Sequence, residues 1–341
     1  MSFGKICDVK RDAGDSPGAL SACEEELTIG RRLADADPGN TDFARDIAIA
    51  LGRTGDLKLS AGDLHGALAA HEQSLAIKRR LAAVDAANTE WQRDVEGSLW
   101  AIGAAKLRQD DLQGALAAFE ESLMIARRLA EADKTNSQWQ WDVSASLDRV
   151  GHVKFALGDT VGAQAANDES VAITRRLADA QPDNILLRRD VAVGLNRVGD
   201  VKAFSGDLDG AFAAYQESVA IARRLAEANP GNVRFQRDLS LSIDKLGDVT
   251  SARGDNAGAL AAYQESLAIV RRLADSDNSN VEWQTDLVVS LYKIANMADG
   301  EKKDAALDEA LKLVERLDAE GKLSPDKKDW KGKLLALREP H

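Results

Sequence analysis

The feature that most constrains the fold of this chain is an Arg-Arg pair that returns at one fixed spacing. The pairs are Arg31-Arg32, Arg79-Arg80, Arg127-Arg128, Arg175-Arg176, Arg223-Arg224 and Arg271-Arg272, each 48 residues after the last. A fixed period of this size is typical of solenoids, whose units bury their apolar faces only by stacking on their neighbours. The sequence therefore predicts an array of stacked copies.

Each copy has the signals of two helices. In the copy that begins at Asn232, this residue is suited to cap a first helix, Gly254 to end it and Asp255 to cap a second helix. Apolar residues recur at helical spacing in both stretches. The Asn signal returns at Asn40, Asn88, Asn136, Asn184 and Asn280. We expect pairs of helices of about 18 to 20 residues each, or roughly 30 Å.

Composition narrows the class of partner. The chain of 341 residues has 44 basic and 56 acidic residues, a formal charge of -12. This charge opposes binding to nucleic acid and to anionic membrane surfaces. No apolar run approaches the ~18 residues that a membrane span needs, and the N-terminus lacks the apolar segment of a secretory signal. These observations predict a cytoplasmic protein.

The repeated residues resemble the tetratricopeptide repeat. The resemblance rests on Leu246-Gly247, Gly254-Asp255, Ala259, Tyr263 and Leu267, and it covers about residues 2–317. It implies an all-α, right-handed superhelical solenoid of antiparallel helix pairs. The usual period is about 34 residues, so the 48-residue period indicates a long-helix variant, similar to kinesin light chain repeats.

The same pattern predicts where the repeats begin and end. We expect a truncated first repeat at 1–39, five full repeats at 40–279, a degenerate terminal repeat at 280–320 and a C-terminal capping helix at 321–341. Ser2 to Asp8 aligns with Ser146 to His152, part-way along a first helix. We therefore expect the native protein to continue upstream, or this end to associate with another molecule.

In tetratricopeptide repeats the first helices line a concave groove, and the resemblance implies a peptide-binding surface there. The predicted groove residues are Trp100, Asp148, His152, Phe155, Asn196, Asp200, Phe204, Asp244, Asp248 and Tyr292. This aromatic and acidic mixture suits a protein or peptide with basic residues and apolar anchors. In an alternative interpretation, Phe155 and Phe204 fill space between helices, and the carboxylates are solvated and partly paired with Arg149, Arg197 and Lys245.

The sequence predicts no catalytic residue, metal site or cofactor. Ser242 and Ser290 each precede a Lys by three residues, which matches the Ser-x-x-Lys string of penicillin-recognising enzymes. Both fall in phase with the repeat, so we expect them to be ordinary helix-surface residues. None of the four histidines has the spacing of a helical zinc site. The preferred function is thus a non-catalytic scaffold. The alternative is a regulatory or sensing arm of a larger effector whose upstream domain is missing from this chain.

Two further features have both a structural and a functional interpretation. We expect the Arg-Arg pairs to lie in the last turn of each second helix and to pair with aspartates of neighbouring helices, rather than to bind anionic partners. These aspartates are Asp46, Asp94, Asp142, Asp190, Asp238 and Asp286.

Cys7 and Cys23 occupy columns that touch in tetratricopeptide units, so a disulfide is one interpretation. Two buried reduced thiols are the preferred one.

Overall fold

The computed structural model describes residues 3–338, which contain fifteen α-helices, one short 3-10 turn and no strand. The predicted all-α class is therefore confirmed. Met1, Ser2 and residues 339–341, at the outer ends of the predicted first repeat and capping helix, lie outside the described residues.

The helices alternate between first and second members of a pair. The first helices are α1 Phe3–Asp12, α3 Thr41–Ser60, α5 Thr89–Arg108, α7 Ser137–Ala156, α9 Ile185–Phe204, α11 Val233–Ala252 and α13 Val281–Met297. The second helices are α2 Ser16–Ala36, α4 Leu64–Val84, α6 Leu112–Ala132, α8 Thr160–Ala180, α10 Leu208–Ala228, α12 Asn256–Ser276 and α14 Gly300–Ala319. The 3-10 turn Pro325–Lys327 and α15 Trp330–Arg338 follow.

The chain divides into two compact units, Met1–Ile173 and Thr174–His341, with the boundary inside α8. In the first unit, helices α1 to α7 pack each on the next, and in the second unit α9 to α15 do the same. Residues 39, 279 and 320, where the sequence places repeat boundaries, lie between helices. The repeat division itself stays a prediction.

The predicted caps are confirmed. The Asn232 side chain accepts a hydrogen bond from the amide of Phe235 at 3.2 Å, and the Asp255 side chain accepts one from the amide of Gly258 at 2.8 Å. Gly206 adopts φ +85° at the turn between the paired helices. Asp110 takes the same place in its copy with φ +60°, a conformation that favours glycine.

A glycine of the first helix sets the close approach of the two helices in a pair. A Cβ atom on Gly199 would lie 2.4 Å from the Tyr215 ring, and Gly103 and Gly247 have the same relation to Phe119 and Tyr263. One turn further along α10, the buried Ser218 hydroxyl donates to the carbonyl of Ala192 at 2.8 Å. Ser74, Ser122, Ser170 and Ser266 make the equivalent bond in their copies.

The Arg-Arg pairs form ion pairs between helices, but the predicted partners are wrong. Arg127 and Arg175 pair at 2.6 Å with Glu169 and Glu217, which lie 42 residues ahead on the next second helix. The Arg-Arg pairs lie directly before the last turn of the helix, and that turn holds no basic residue in α4, α6, α8, α10 or α12. The predicted aspartates lie on first helices, whereas these arginine side chains extend towards the next second helix and meet its glutamates.

Most of the aspartates predicted to meet the Arg-Arg pairs bind a different arginine. Asp94 pairs at 3.0 Å with Arg45, and Asp286 pairs at 2.8 Å with Arg237. Asp142 and Asp238 are held by Arg93 and Arg189 in the same way. These arginines lie on first helices, 49 residues before their partners. One row of ion pairs therefore joins successive first helices, and a separate row joins successive second helices.

Cys7 and Cys23 form a disulfide, which overturns the preferred interpretation of two reduced thiols. The two residues are 1% and 0% exposed and pack with Ala19 and Leu57. They occupy the glycine and aromatic columns, where the close approach of the paired helices brings Cα atoms within 5.6 Å. The sequence could not decide between the two interpretations because compartment and redox state are not encoded in the spacing.

Substitution of Gly199 by Ala is expected to destabilise the second unit by about 1–3 kcal/mol, because the added methyl group overlaps the Tyr215 ring. Gly97 provides a matched control on α5, since nothing lies within 4 Å of its ideal Cβ position. Gly97→Ala should stabilise by about 0.4–1 kcal/mol through reduced entropy of the unfolded chain. Urea unfolding followed by circular dichroism measures the change in the free energy of unfolding for both variants. Equal changes would show that the Tyr215 ring does not restrict the space at Gly199.

Reduction of the disulfide is expected to loosen the first helix pair. The bond closes a loop with a sequence separation of 16 residues, so its loss should cost roughly 2–4 kcal/mol locally. Amide hydrogen exchange in α1 and α2, measured with and without a phosphine reductant, should show faster exchange after reduction. A Cys7→Ala/Cys23→Ala variant is the control and should not respond to the reductant. Unchanged exchange in the wild type would refute the prediction.

Candidate functional site

The candidate site is the exposed face of the first helices that the sequence predicted to line a groove, here called the groove face. In the first unit its predicted residues are Trp100 on α5 and Asp148, His152 and Phe155 on α7. In the second unit they are Asn196, Asp200 and Phe204 on α9, Asp244 and Asp248 on α11, and Tyr292 on α13. Each unit is described by itself.

In the first unit, Trp100 is the main exposed aromatic residue of the groove face. It is 41% exposed, and the Arg149 guanidinium carbon lies 5.3 Å from its ring centroid. The Asp148 carboxylate accepts a hydrogen bond from the Ser170 hydroxyl at 2.8 Å. His152 is exposed and Phe155 is half-buried. An aromatic surface held by a neighbouring cation is therefore available to a ligand on α5 and α7.

In the second unit the groove face exposes a series of apolar side chains. Phe204 is 71% exposed and Tyr292 is 37% exposed. Leu241 and Val289, which the sequence analysis missed, are 41% and 38% exposed. Each lies three residues before a predicted groove position, Asp244 or Tyr292, and thus on the same helical face. Extending the predicted columns by one turn would have found both.

The charged residues of the second unit form two copies of one arrangement. The Tyr215 hydroxyl donates to Asp200 at 2.7 Å, and the Lys245 amine lies 2.6 Å from the same carboxylate. The arrangement is repeated where the Tyr263 hydroxyl donates to Asp248 at 2.7 Å and Lys293 lies 2.9 Å from that carboxylate. Burial and the adjacent carboxylate raise the pKa of both tyrosines, which therefore stay protonated as donors.

These bonds join successive first helices. Lys245 on α11 reaches Asp200 on α9, and Lys293 on α13 reaches Asp248 on α11. The Asn196 amide also donates to the Ser242 hydroxyl at 2.9 Å. Lys245, which pairs with Asp200, is one of the three cations that the alternative interpretation named as partners of these carboxylates. The lysines neutralise carboxylates that the sequence suggested were open to a basic partner, so the groove face is less acidic than expected.

Asp244 differs from the other carboxylates of the groove face. It is 9% exposed, and its Oδ1 atom has no hydrogen-bond partner in the described structure. Burial raises the pKa of Asp244, and Lys293, at 3.9 Å, acts in the opposite direction. Asp244 therefore belongs to the floor of the groove face rather than to its exposed surface.

Residues 3–338 contain neither a metal-binding cluster nor a helix suited to cross a membrane. No group of three or more His, Cys, Asp or Glu side chains there is placed to hold a metal ion. In the same range, no helix has the length and apolar character of a membrane span.

Comparison with known proteins identifies the repeat. A family model described as tetratricopeptide repeat matches residues 240–279, which include most of α11 and α12. The crystal structure of BtubC (BKLC) from P. vanneervenii is 19% identical, with a TM-score of 0.58, over 76% of this chain and 92% of that one. Residues 240–279 thus match the tetratricopeptide repeat, and the chain has the helix-pair fold of tetratricopeptide-type solenoids.

A second solved structure has the same fold. The apo form of RapI is 12% identical to this chain, with a TM-score of 0.56, over 92% of this chain and 74% of RapI. No curated protein sequence matches the chain. The family model describes a structural repeat and not a catalytic domain, and at these identities the two structures establish the fold alone.

Glu96, one turn before Trp100 on α5, is expected to make stability fall as pH rises. Burial raises the pKa of Glu96 to about 7, with a further contribution from Asp142 that Arg93 partly offsets. Because the folded-state pKa lies above the unfolded value, the stability is full below the unfolded pKa, falls as pH rises between the two pKa values, and reaches its lower level above the folded pKa. Glu96→Gln should therefore be the more stable protein at pH 8, by up to about 3 kcal/mol.

Urea unfolding of wild type and Glu96→Gln at pH 5 and at pH 8 measures this effect. The advantage of the Gln variant should grow between the two values. Glu72→Gln is the control, because Glu72 is exposed on α4. An equal advantage at both pH values would show that Glu96 is not desolvated as described.

Proposed function

We propose that this chain is a non-catalytic scaffold that binds a protein or peptide on the groove face of its first helices. The observation that supports the proposal is the exposure of Trp100, Phe204 and Tyr292 on first helices. Exposed aromatic residues of this kind act as anchors in protein interfaces.

Lateral contacts prepare the groove face for binding. The Arg–Asp pairs and the two Tyr–Asp–Lys arrangements tie first helices to one another before any partner arrives. A surface already held in place loses little conformational entropy on binding. The proposed mechanism is thus docking of a flexible segment on a preformed helical surface.

The chemistry of the partner follows from the side chains on this face. Apolar anchors of the partner contact the exposed aromatic residues. Its basic residues approach Asp200 and Asp248, each of which already binds a Tyr hydroxyl and a Lys. Because a basic group of the partner must compete with these lysines, the apolar contacts contribute the larger share of the affinity.

Affinity capture from a lysate of the organism that encodes the chain tests this proposal. We expect Trp100→Ala/Phe155→Ala to lose partners held by the first unit, and Phe204→Ala/Tyr292→Ala to lose those held by the second. Loss should be tenfold or more, because aromatic anchors contribute upward of about 1.4 kcal/mol each.

The matched control removes exposed apolar side chains from second helices. Met124 on α6 and Val161 on α8 are 63% and 81% exposed, and Met124→Ala/Val161→Ala should capture the same proteins as the wild type. Circular dichroism must show that all three variants remain helical. If the groove variants and the control capture the same proteins as the wild type, the groove face is not the binding surface.

A further inference from the structure

The C-terminal helix creates a cleft at the end of the groove face. Val288, Val289 and Tyr292 of α13 line one side, and Trp330, Lys333 and Leu334 of α15 line the other. The cleft has a volume of about 290 Å³, the lower end of the range for small-molecule pockets. It is therefore of a size for one or two side chains rather than for a cofactor.

The walls of the cleft are mostly apolar, and part of them belongs to the packed core. Leu334 is 1% exposed within the core cluster of the second unit, and Trp330 packs against that cluster. Val288 is 2% exposed, whereas Val289 and Tyr292 remain 38% and 37% exposed at the mouth. An apolar side chain that enters meets a buried floor and two aromatic rings, which is the geometry of an interface hot spot.

The C-terminal segment that forms one wall of the cleft is basic, in a protein that is acidic as a whole. Residues 321–338 contain six basic and two acidic residues, a net charge of +4, whereas the whole chain has a charge of -12. The Lys327 amine lies 5.6 Å from the Trp330 ring centroid, and Lys333 lies in the lining itself. Charge complementarity thus favours an acidic partner here and disfavours a basic one.

Lys333 can exchange its present partner. It pairs with Asp329 at 2.7 Å, and both side chains are 59% exposed. An exposed pair between residues four apart on a helix contributes little to stability. A carboxylate delivered by a ligand that is anchored in the cleft can therefore replace Asp329 at little cost.

We infer that this cleft binds an apolar side chain of a peptide segment, with acidic residues of the same segment pairing with Lys333 and Lys327. The inference rests on the proposed function and adds a location and a peptide chemistry to it. The basic partner residues proposed above approach Asp200 and Asp248, on other helices of the same unit. The two contacts therefore require residues of opposite charge.

Fluorescence anisotropy with the full chain tests this inference. The probe is a fluorescein-labelled peptide Gly-Ser-Asp-Glu-Phe-Glu-Asp-Ser-Gly, compared with Gly-Ser-Lys-Lys-Phe-Lys-Lys-Ser-Gly and with Gly-Ser-Asp-Glu-Ser-Glu-Asp-Ser-Gly. We expect the acidic Phe peptide to bind at least tenfold more tightly than either control. Its affinity should fall as salt rises, because exposed charge pairs are screened.

Two kinds of variant locate the binding in the cleft. Trp330→Ala and Tyr292→Ala should each weaken binding about tenfold, and the second is kept in case the first disturbs α15. Lys333→Gln should weaken it about threefold to tenfold. Lys331→Gln is the matched control, since Lys331 pairs with Glu315 and does not line the cleft, and it should bind as the wild type does.

Several results would overturn the inference. These are equal binding of the three peptides, no binding of any of them, or unchanged binding by the Trp330, Tyr292 and Lys333 variants. A wild-type dimer in sedimentation that Tyr292→Ala dissociates would also overturn it, by assigning the cleft to a second copy of the chain. The Trp100→Ala/Phe155→Ala variant of the capture experiment leaves every residue of the cleft unchanged, so its outcome tests the groove face separately from these results.

Discussion

The structure depends on how closely the two helices of each pair approach. Gly103, Gly199 and Gly247 lie against the rings of Phe119, Tyr215 and Tyr263, and no side chain larger than hydrogen fits there without movement. This contact brings the backbones near enough for the second-helix serine to bond the first-helix carbonyl. A helix pair of mostly small and aliphatic residues then forms a compact layer, and stacking of layers buries the rest.

Stacking in turn aligns charged residues that are far apart in the sequence. A repeat of fixed length places the same residue at the same height in every copy, so an arginine in one copy meets an acid in the next. On second helices Arg127 meets Glu169, and on first helices Arg45 meets Asp94. These pairs are partly exposed and individually weak. Their repetition fixes the register of successive helices, and it leaves the positions that differ between copies free for recognition.

The groove face shows how one position can serve both structure and binding. The Tyr215 and Tyr263 rings pack on glycine, while their hydroxyl groups donate to Asp200 and Asp248 at the surface. The same carboxylates bind lysines of the next first helix. Packing, register and groove chemistry are thus coupled in the second unit. In the first unit the equivalent column holds His71, Phe119 and Asn167. His71 keeps part of this arrangement, because its ring lies against Gly55 and its Nε2 atom lies 3.6 Å from the Asp56 carboxylate.

The sequence by itself determined the period, the helix pairs, the caps and the all-α class, because each depends on local spacing and on residues within a few positions of one another. The groove face was predicted from the resemblance to the tetratricopeptide repeat, and its role in binding stays a prediction. The tertiary structure alone decided which acids the Arg-Arg pairs meet, that Cys7 and Cys23 are bonded, that Asp244 is buried, and that α15 closes a cleft against Tyr292. Each of these depends on the distance and angle between helices. These quantities result from side-chain packing across many residues, so the local sequence pattern does not encode them.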